Sequence, residues 1–581
     1  MKFNRTSKCF AAILLGLLIS RHAGSQGFLK AQGKLIVNEQ GEKVILRGIG
    51  LGGDMLQEGY MFKVAMLNQQ YKIRAGIEDL VGPEKMTAFY NSWLANNTRK
   101  IDVDSLARWG FNSIRLPMHF NLFTLPVAEE PVAGKNTWLP KGFAMIDELL
   151  AWCKANHIYL ILDLHATPGG QGNDLPIADR HPNEPTLWDS EANQQKMIAL
   201  WGKLAERYKN EPNIGGYDII NEPNMGFEDK NDTRGINEKT NAPLKKLMIE
   251  VTAAIREVDK KHIIIIEGNG FGNNYSGVLP TWDNNMVLSF HKYGNYNTTA
   301  AIQNFLNLRD KYNVPLWLGE SGENSNTWFT ECISLAERND IGWSWWPLKK
   351  MGGNNPLEIK VPEGYQKLLD YWSGKGPKPS PAEAQPILDQ WLLNLKFENN
   401  IIHHDVMDAM FRQVQSADTK PFKPNIITNN TILLAADFDL GRQRSAYYDK
   451  DSASYQYTAG VNTIGNKGHS YRNDGVDIKA DAIGPYVMSI EDGEWMQYTV
   501  NVKSPGAYTV KFMVASASAG GKLNLTGDGQ IAGSITVPNT GGEQNWQTVE
   551  LKGVVLKNGS NKLRVYVDKG GWNLRSMEFL K

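Results

Sequence analysis

From about residue 44 to 415 the chain alternates between short apolar runs and longer amphipathic ones. The runs "KVILRGIGL", "NSIRLP", "IYLILDLH", "YDIINE", "IIIIEG", "MVLSFHKY", "PLWLGE" and "IGWSWW" have the length and continuous hydrophobicity of strands covered on both faces. Between several of them the apolar residues take helical spacing, as in "FAMIDELLAWCKANH", "KMIALWGKLAERYKN" and "PLKKLMIEVTAAIREVD". Eight parallel-type strands with intervening helices predict an α/β fold, a (β/α)8 or TIM barrel. A doubly wound sheet is the alternative arrangement, but no GxGxxG follows a strand and opens a helix. Two connections are longer than the scaffold requires, from Gly52 to about Lys100 and from about Lys349 to Pro386. Both follow strands, so both belong to the face where barrels carry their chemistry.

The pattern changes at "SADTKPFKPNIITNN", where Pro421 and Pro424 interrupt a polar stretch. Beyond it, "EWMQYTVNV", "AYTVKFMVAS", "KLNLTG" and "NKLRVYVD" alternate with period two between Gly and Asn turns, the signature of a β-sandwich, here jelly-roll-like. This divides the chain into a barrel over 26–415, a linker over 416–429 and a sandwich over 430–581. Residues 1–25 read as a signal peptide. Lys2, Arg5 and Lys8 precede "CFAAILLGLLIS", and Ala23 and Ser25 stand before a cut near Gln26. A cleavable signal predicts a secreted or periplasmic protein with no membrane span in its mature form.

Composition narrows the partners. Lys plus Arg and Asp plus Glu are each 62 in 581 residues, so no net charge draws the chain to nucleic acid or an anionic membrane. No Cys/His spacing resembles a zinc site, and "HHD" at His403–Asp405 reads as helix surface. With Cys9 removed, Cys153 and Cys332 remain, on helices the barrel topology holds apart, so two free thiols are expected.

Strand ends carry the candidate chemistry. Arg115 ends the second strand, His165 the third, Asn221 and Glu222 the fourth. His291 and Tyr293 end the sixth, Glu320 the seventh and Trp346 the eighth. On a barrel these residues converge at one face. Two carboxylates there suit glycosidic bond cleavage, in which one donates a proton and the other attacks or activates water. Trp343 and Trp345 are expected in the core.

From about Gln32 to Gln415 the chain resembles glycoside hydrolase family 5, with a residue matching each of eight typical site positions. The resemblance implies a retaining hydrolase with Glu222 as general acid/base and Glu320 as nucleophile. Arg115 and Tyr293 would position Glu320, Asn221 would hold the sugar 2-hydroxyl, His165 and His291 would line the cleft, and Trp346 would floor it. "GIGLGGDMLQEGYM" and "HATPGGQG" resemble the exo-1,3-glucanase branch, with Glu58 at its sugar-binding acid. Asp54 stands where that branch has Trp, and "GESGENSNTW" departs from its continuation. A β-glucan is the expected polysaccharide or oligosaccharide substrate. An exo-1,3-β-glucosidase type, a β-mannan type and a non-catalytic glycan-binding protein are the alternatives.

From about Asn430 the chain resembles carbohydrate-binding module family 6, through "ADFDLGRQRSAYYD", "YRNDGVDI", "GEWMQYTVNV", "VPNTGGEQNWQTV" and "GGWNLRSMEF". The resemblance implies a sugar sandwiched between Tyr471 and Trp572 and oriented by Asn573. The module is then expected to tether the enzyme to polysaccharide without entering its chemistry. The family's calcium positions read Leu434, Ala436 and Arg575, so no metal is expected, and no cofactor.

Overall fold

The structure, a computed structural model, describes residues 26–581 apart from Lys230 and Asn462. The expected signal peptide and Cys9 lie outside the described residues.

Eight parallel strands close into a barrel. They are β1 (Arg47–Gly50), β2 (Ser113–His119), β3 (Tyr159–Ala166), β4 (Ile214–Asp218), β5 (Ile264–Glu267), β6 (Met286–Lys292), β7 (Leu316–Gly322) and β8 (Gly342–Trp346). β8 pairs with both β7 and β1, which removes every edge. All the residues of β2 to β8 are buried, which explains their unbroken apolar character. Alternation along β8 sends Trp343 and Trp345 outward. There Trp343 meets Phe111 and Phe411, and Trp345 meets Trp328 and Phe329.

Local signals fix the surrounding helices. Ser190 accepts from the Asn193 N–H and opens helix Glu191–Tyr208, and Ser325 does the same through Trp328 for Asn326–Arg338. Helix Pro140–Ala155 begins with proline, whose missing N–H costs nothing there. Cys153 and Cys332 sit on the last and second of these helices as free, buried thiols. Between β5 and β6 the described residues form no regular helix, only a tight turn over Asn269–Gly272 in which Gly270 and Phe271 take left-handed φ of 57° and 63°.

The two long connections fold against each other. Helices Gln70–Val81 and Pro83–Asn96 from the first pack with Pro381–Asn394 from the second around Phe62, Trp93, Tyr365 and Trp391. Trp346 belongs to the same cluster, so this secondary core backs one wall of the barrel mouth.

The C-terminal part is two facing sheets, antiparallel except where Ile426–Ile427 joins one edge in parallel, around a core that includes Tyr498, Phe512, Val565 and Phe579. The 416–429 segment is not a free tether. Lys420 bridges to Leu440, Phe422 packs on Tyr471, and Ile426–Ile427 is already a strand paired with Trp495–Val502. The module also docks on the barrel through hydrogen bonds. Asp405 accepts from the Asn473 N–H at 2.7 Å and from Asn326 Nδ2 at 2.8 Å, and Asn326 N–H donates to Asn473 O at 2.7 Å. Thr327 and Tyr447 hydroxyls meet at 2.7 Å, and Ser325 Oγ donates to Ser452 O at 2.6 Å. The surface reading of "HHD" is therefore corrected. His403 and Asp405 are buried, His403 against Glu358 and Asp405 at the hub of the domain contact.

Candidate active site

The residues read as strand ends converge on one cleft, with one correction: Arg115 does not end its strand but stands third of seven residues in β2, which continues to His119. Arg115, from β2, lies fully buried among acids: Nε donates to Asp218 at 3.0 Å, Nη1 to Glu320 at 2.9 Å and Nη2 to Asn221 at 2.7 Å. Asp163 and Glu267 each stand 3.3 Å from Nη2. The other Glu320 oxygen accepts from the Tyr293 hydroxyl at 2.7 Å. Both oxygens are thus oriented, leaving the carboxylate little rotational freedom.

Glu222 follows β4 with φ of 40°, a left-handed conformation uncommon for a side-chain-bearing residue. Its N–H donates to Glu267 Oε2 at 2.7 Å, and Asn224 Nδ2 donates to its carbonyl at 2.9 Å. Its carboxylate meets His291 Nδ1 at 2.6 Å, while His291 Nε2 stands 3.1 Å from Glu267. Burial pulls the His291 pKa down, but Glu267, Glu320 and Glu222 outweigh it and hold it well above the ordinary value. One oxygen or nitrogen each of Glu222, His291 and Glu320 lie within 4.8 Å of one another.

His165 is fixed by Asp163 at 2.7 Å, reaches Asn221 through Nε2 at 3.2 Å, and lies parallel to Trp346 at 5.2 Å. The Trp346 indole N–H donates to Tyr60 Oη at 2.9 Å. Glu58 also lines the cleft, and burial together with Glu320 and Glu222 pushes its pKa well up. The cavity holds about 690 Å³, within the range of specific ligand sites.

All nine barrel residues named from the sequence thus meet around this cavity or directly behind it. Asp54 does not. It is 4% exposed, outside the cleft lining, and burial lifts its carboxyl to about 7 against the pull of Lys349. Glu267 went unnoticed, although it closes the fifth apolar run as the other site residues close theirs. Tyr60, Asp174, Phe271 and Glu323 also line the cavity from loops whose course no periodicity encodes.

The module residues are placed differently from expectation. Trp572 is 2% exposed inside the sandwich core, with its indole N–H donating to Lys569 O at 2.7 Å. Tyr471 bonds Asp437 through its hydroxyl, Phe422 packs edge-on to it, and Lys423 lies 4.9 Å over its ring. Asn573 donates to Glu543 O at 2.8 Å. Trp572 offers no open face for stacking, while Tyr471 stays partly exposed with Phe422 and Lys423 of the expected linker packed against it. Arg575, at one expected metal position, pairs with Asp481.

Fold and site together define a (β/α)8 barrel with paired carboxylates in its mouth, joined to a β-sandwich. Residues 78–352 match the family model for cellulase (glycosyl hydrolase family 5), and residues 450–581 match that for carbohydrate binding module (family 6). The barrel belongs to glycosyl hydrolase family 5, the sandwich is a family 6 carbohydrate-binding module, and the chain is a glycoside hydrolase. It is 27% identical over 379 residues to a beta-xylosidase of Phanerodontia chrysosporium, covering 59% of this chain and 75% of the relative. It is 25% identical over 312 residues to endoglucanase C of Acetivibrio thermocellus, covering 43% and 83%. Among solved structures, the C-terminal family 6 module of a marine laminarinase from Zobellia galactanivorans is 34% identical, covers 18% of this chain and 88% of that one, and has a TM-score of 0.18.

Proposed function

We propose that the protein is an exported, retaining β-glycosidase acting on a β-glucan, with Glu320 as nucleophile and Glu222 as general acid/base. The observation that carries this reading is the closeness of the two carboxylates, one oxygen of Glu222 lying within 4.8 Å of one oxygen of Glu320. Retaining enzymes hold the pair about 5–5.5 Å apart, whereas inverting ones leave about 6.5–9.5 Å for a water.

In this mechanism Glu320, oriented by Arg115 and Tyr293, attacks the anomeric carbon. Glu222 protonates the departing glycosidic oxygen as its bond to that carbon breaks. A glycosyl ester on Glu320 results. Glu222, now the base, takes a proton from water, which attacks the same carbon and releases Glu320 with the original configuration restored. His291 against Glu222 supplies a proton-bearing partner for that exchange, and the family resemblance gives Asn221 the 2-hydroxyl and Trp346 the floor under the reacting sugar. Charged n-region, apolar run and small-residue site in residues 1–25 support export.

The test is a product profile on β-1,3-, β-1,4- and β-1,6-glucans, mannan and xylan, with the first-formed anomer read by NMR. A β-glucan preference with β product supports the reading, and an α first product rules out the double displacement.

A further inference from the structure

The cleft is not built by the barrel alone. Gln456 and Tyr457, from the module, line the same cavity as Glu222 and Glu320. Their segment is pinned to the barrel through its backbone. Tyr457 N–H donates to Gly294 O at 2.9 Å, Asn295 Nδ2 to Tyr457 O at 2.7 Å, and Tyr296 N–H to Thr458 Oγ1 at 3.1 Å. Upstream, Asn324 and Ser454 exchange bonds of 2.7 and 3.0 Å, and Tyr455 packs on Tyr296 with ring centres 4.7 Å apart. Gly294 is needed for this approach, since a Cβ there would stand 2.8 Å from the Tyr457 ring. The main chain spends its hydrogen bonds on anchorage while both side chains stay free, Tyr457 at 63% exposure. A fixed backbone presenting an open ring and an amide into a catalytic cavity is the chemistry that binds a neutral sugar: the ring stacks and the amide orients.

We propose that Ser454–Thr458 of the module is a substrate subsite of the barrel's cleft, with Tyr457 stacking on a neutral sugar residue beyond the one that reacts and Gln456 hydrogen-bonding it. This deepens, and rests on, the glycosidase reading above. The module then shapes which oligosaccharides the barrel takes, in place of acting only as a remote tether.

The experiment uses the full chain. In a Glu320→Gln background, calorimetry with cellopentaose and laminaripentaose reads binding without turnover. Adding Tyr457→Ala should weaken the better-bound pentaose about two- to ten-fold, Tyr457→Phe should restore it, and Gln456→Ala should weaken it by a similar factor. In the otherwise wild-type chain the same alanine changes should lower kcat/KM for pentaoses more than for disaccharides. Unchanged affinity and kcat/KM in Tyr457→Ala, with normal hydrolysis, overturns the subsite and leaves the glycosidase reading intact. Pentaose binding that depends on Tyr457, in a wild-type chain that hydrolyses no glycan of the panel, supports the subsite and overturns the glycosidase reading.

Discussion

The main-chain N–H of Glu222 donates to Glu267 Oε2 at 2.7 Å, and the other oxygen of Glu267 faces His291. One buried carboxylate therefore holds both the backbone of Glu222 in its left-handed conformation and the imidazole that meets its side chain. Glu267→Gln keeps the size but removes the charge that these donors and Arg115 share. It should lower kcat about 10–100-fold, the cost of small misplacement at a reacting centre, with KM within about two-fold. Unchanged kcat would remove Glu267 from the positioning of Glu222.

Much of this was legible in the sequence, for a definite reason. A parallel strand covered on both faces is continuously apolar, so a polar residue at its last rung stands out, and topology sends every last rung to one face. His165, Asn221, Glu222, His291, Tyr293, Glu320 and Trp346 are readable that way, whereas Arg115 is the third of seven residues in β2 and stands inside its strand. Glu58 needed a resemblance in a loop. Trp572 was misread because an aromatic near a strand end looks the same whether it faces a ligand or the core; only burial separates them. Tyr457 was invisible, since it lies about 137 residues beyond Glu320 in the chain and reaches the cleft only through docking of two domains.

Trp572→Ala should act on stability. A buried tryptophan truncated to alanine costs about 3–5 kcal/mol, so urea unfolding of the full chain should show the module's transition displaced to lower denaturant. Loss of insoluble-glucan binding with an unchanged unfolding curve would return Trp572 to a sugar-stacking role.

Asp54 gives a pH signature. Burial raises its folded pKa to about 7, above the value of about 3.9 for an unfolded aspartate. A raised acid is protonated more readily in the folded chain, so stability is lost as pH climbs from about 4 to about 7. Asp54→Asn removes that loss. The variant should gain about 2–4 kcal/mol relative to wild type between pH 4 and pH 8 in parallel denaturant titrations. A constant difference across that range would show that Asp54 does not titrate as its burial implies.

The acid/base assignment separates substrates by leaving group. Glu222→Ala should slow hydrolysis of unactivated oligosaccharides by about 10²–10⁴-fold. An aryl glycoside with a good leaving group needs no proton, so its first step should persist as a burst of released phenol. Equal losses for both substrates would move the proton donor elsewhere.

The most direct test of the central claim is covalent trapping. A 2-deoxy-2-fluoro β-glucoside with an activated leaving group slows breakdown of the glycosyl ester more than its formation, so the intermediate accumulates. Peptide mass spectrometry should find one fluorosugar per chain, on the peptide carrying Glu320, with no label in Glu320→Ala. A label on Glu222, or turnover of activated glucosides with no labelled carboxylate and inverted product, would contradict a double displacement through Glu320.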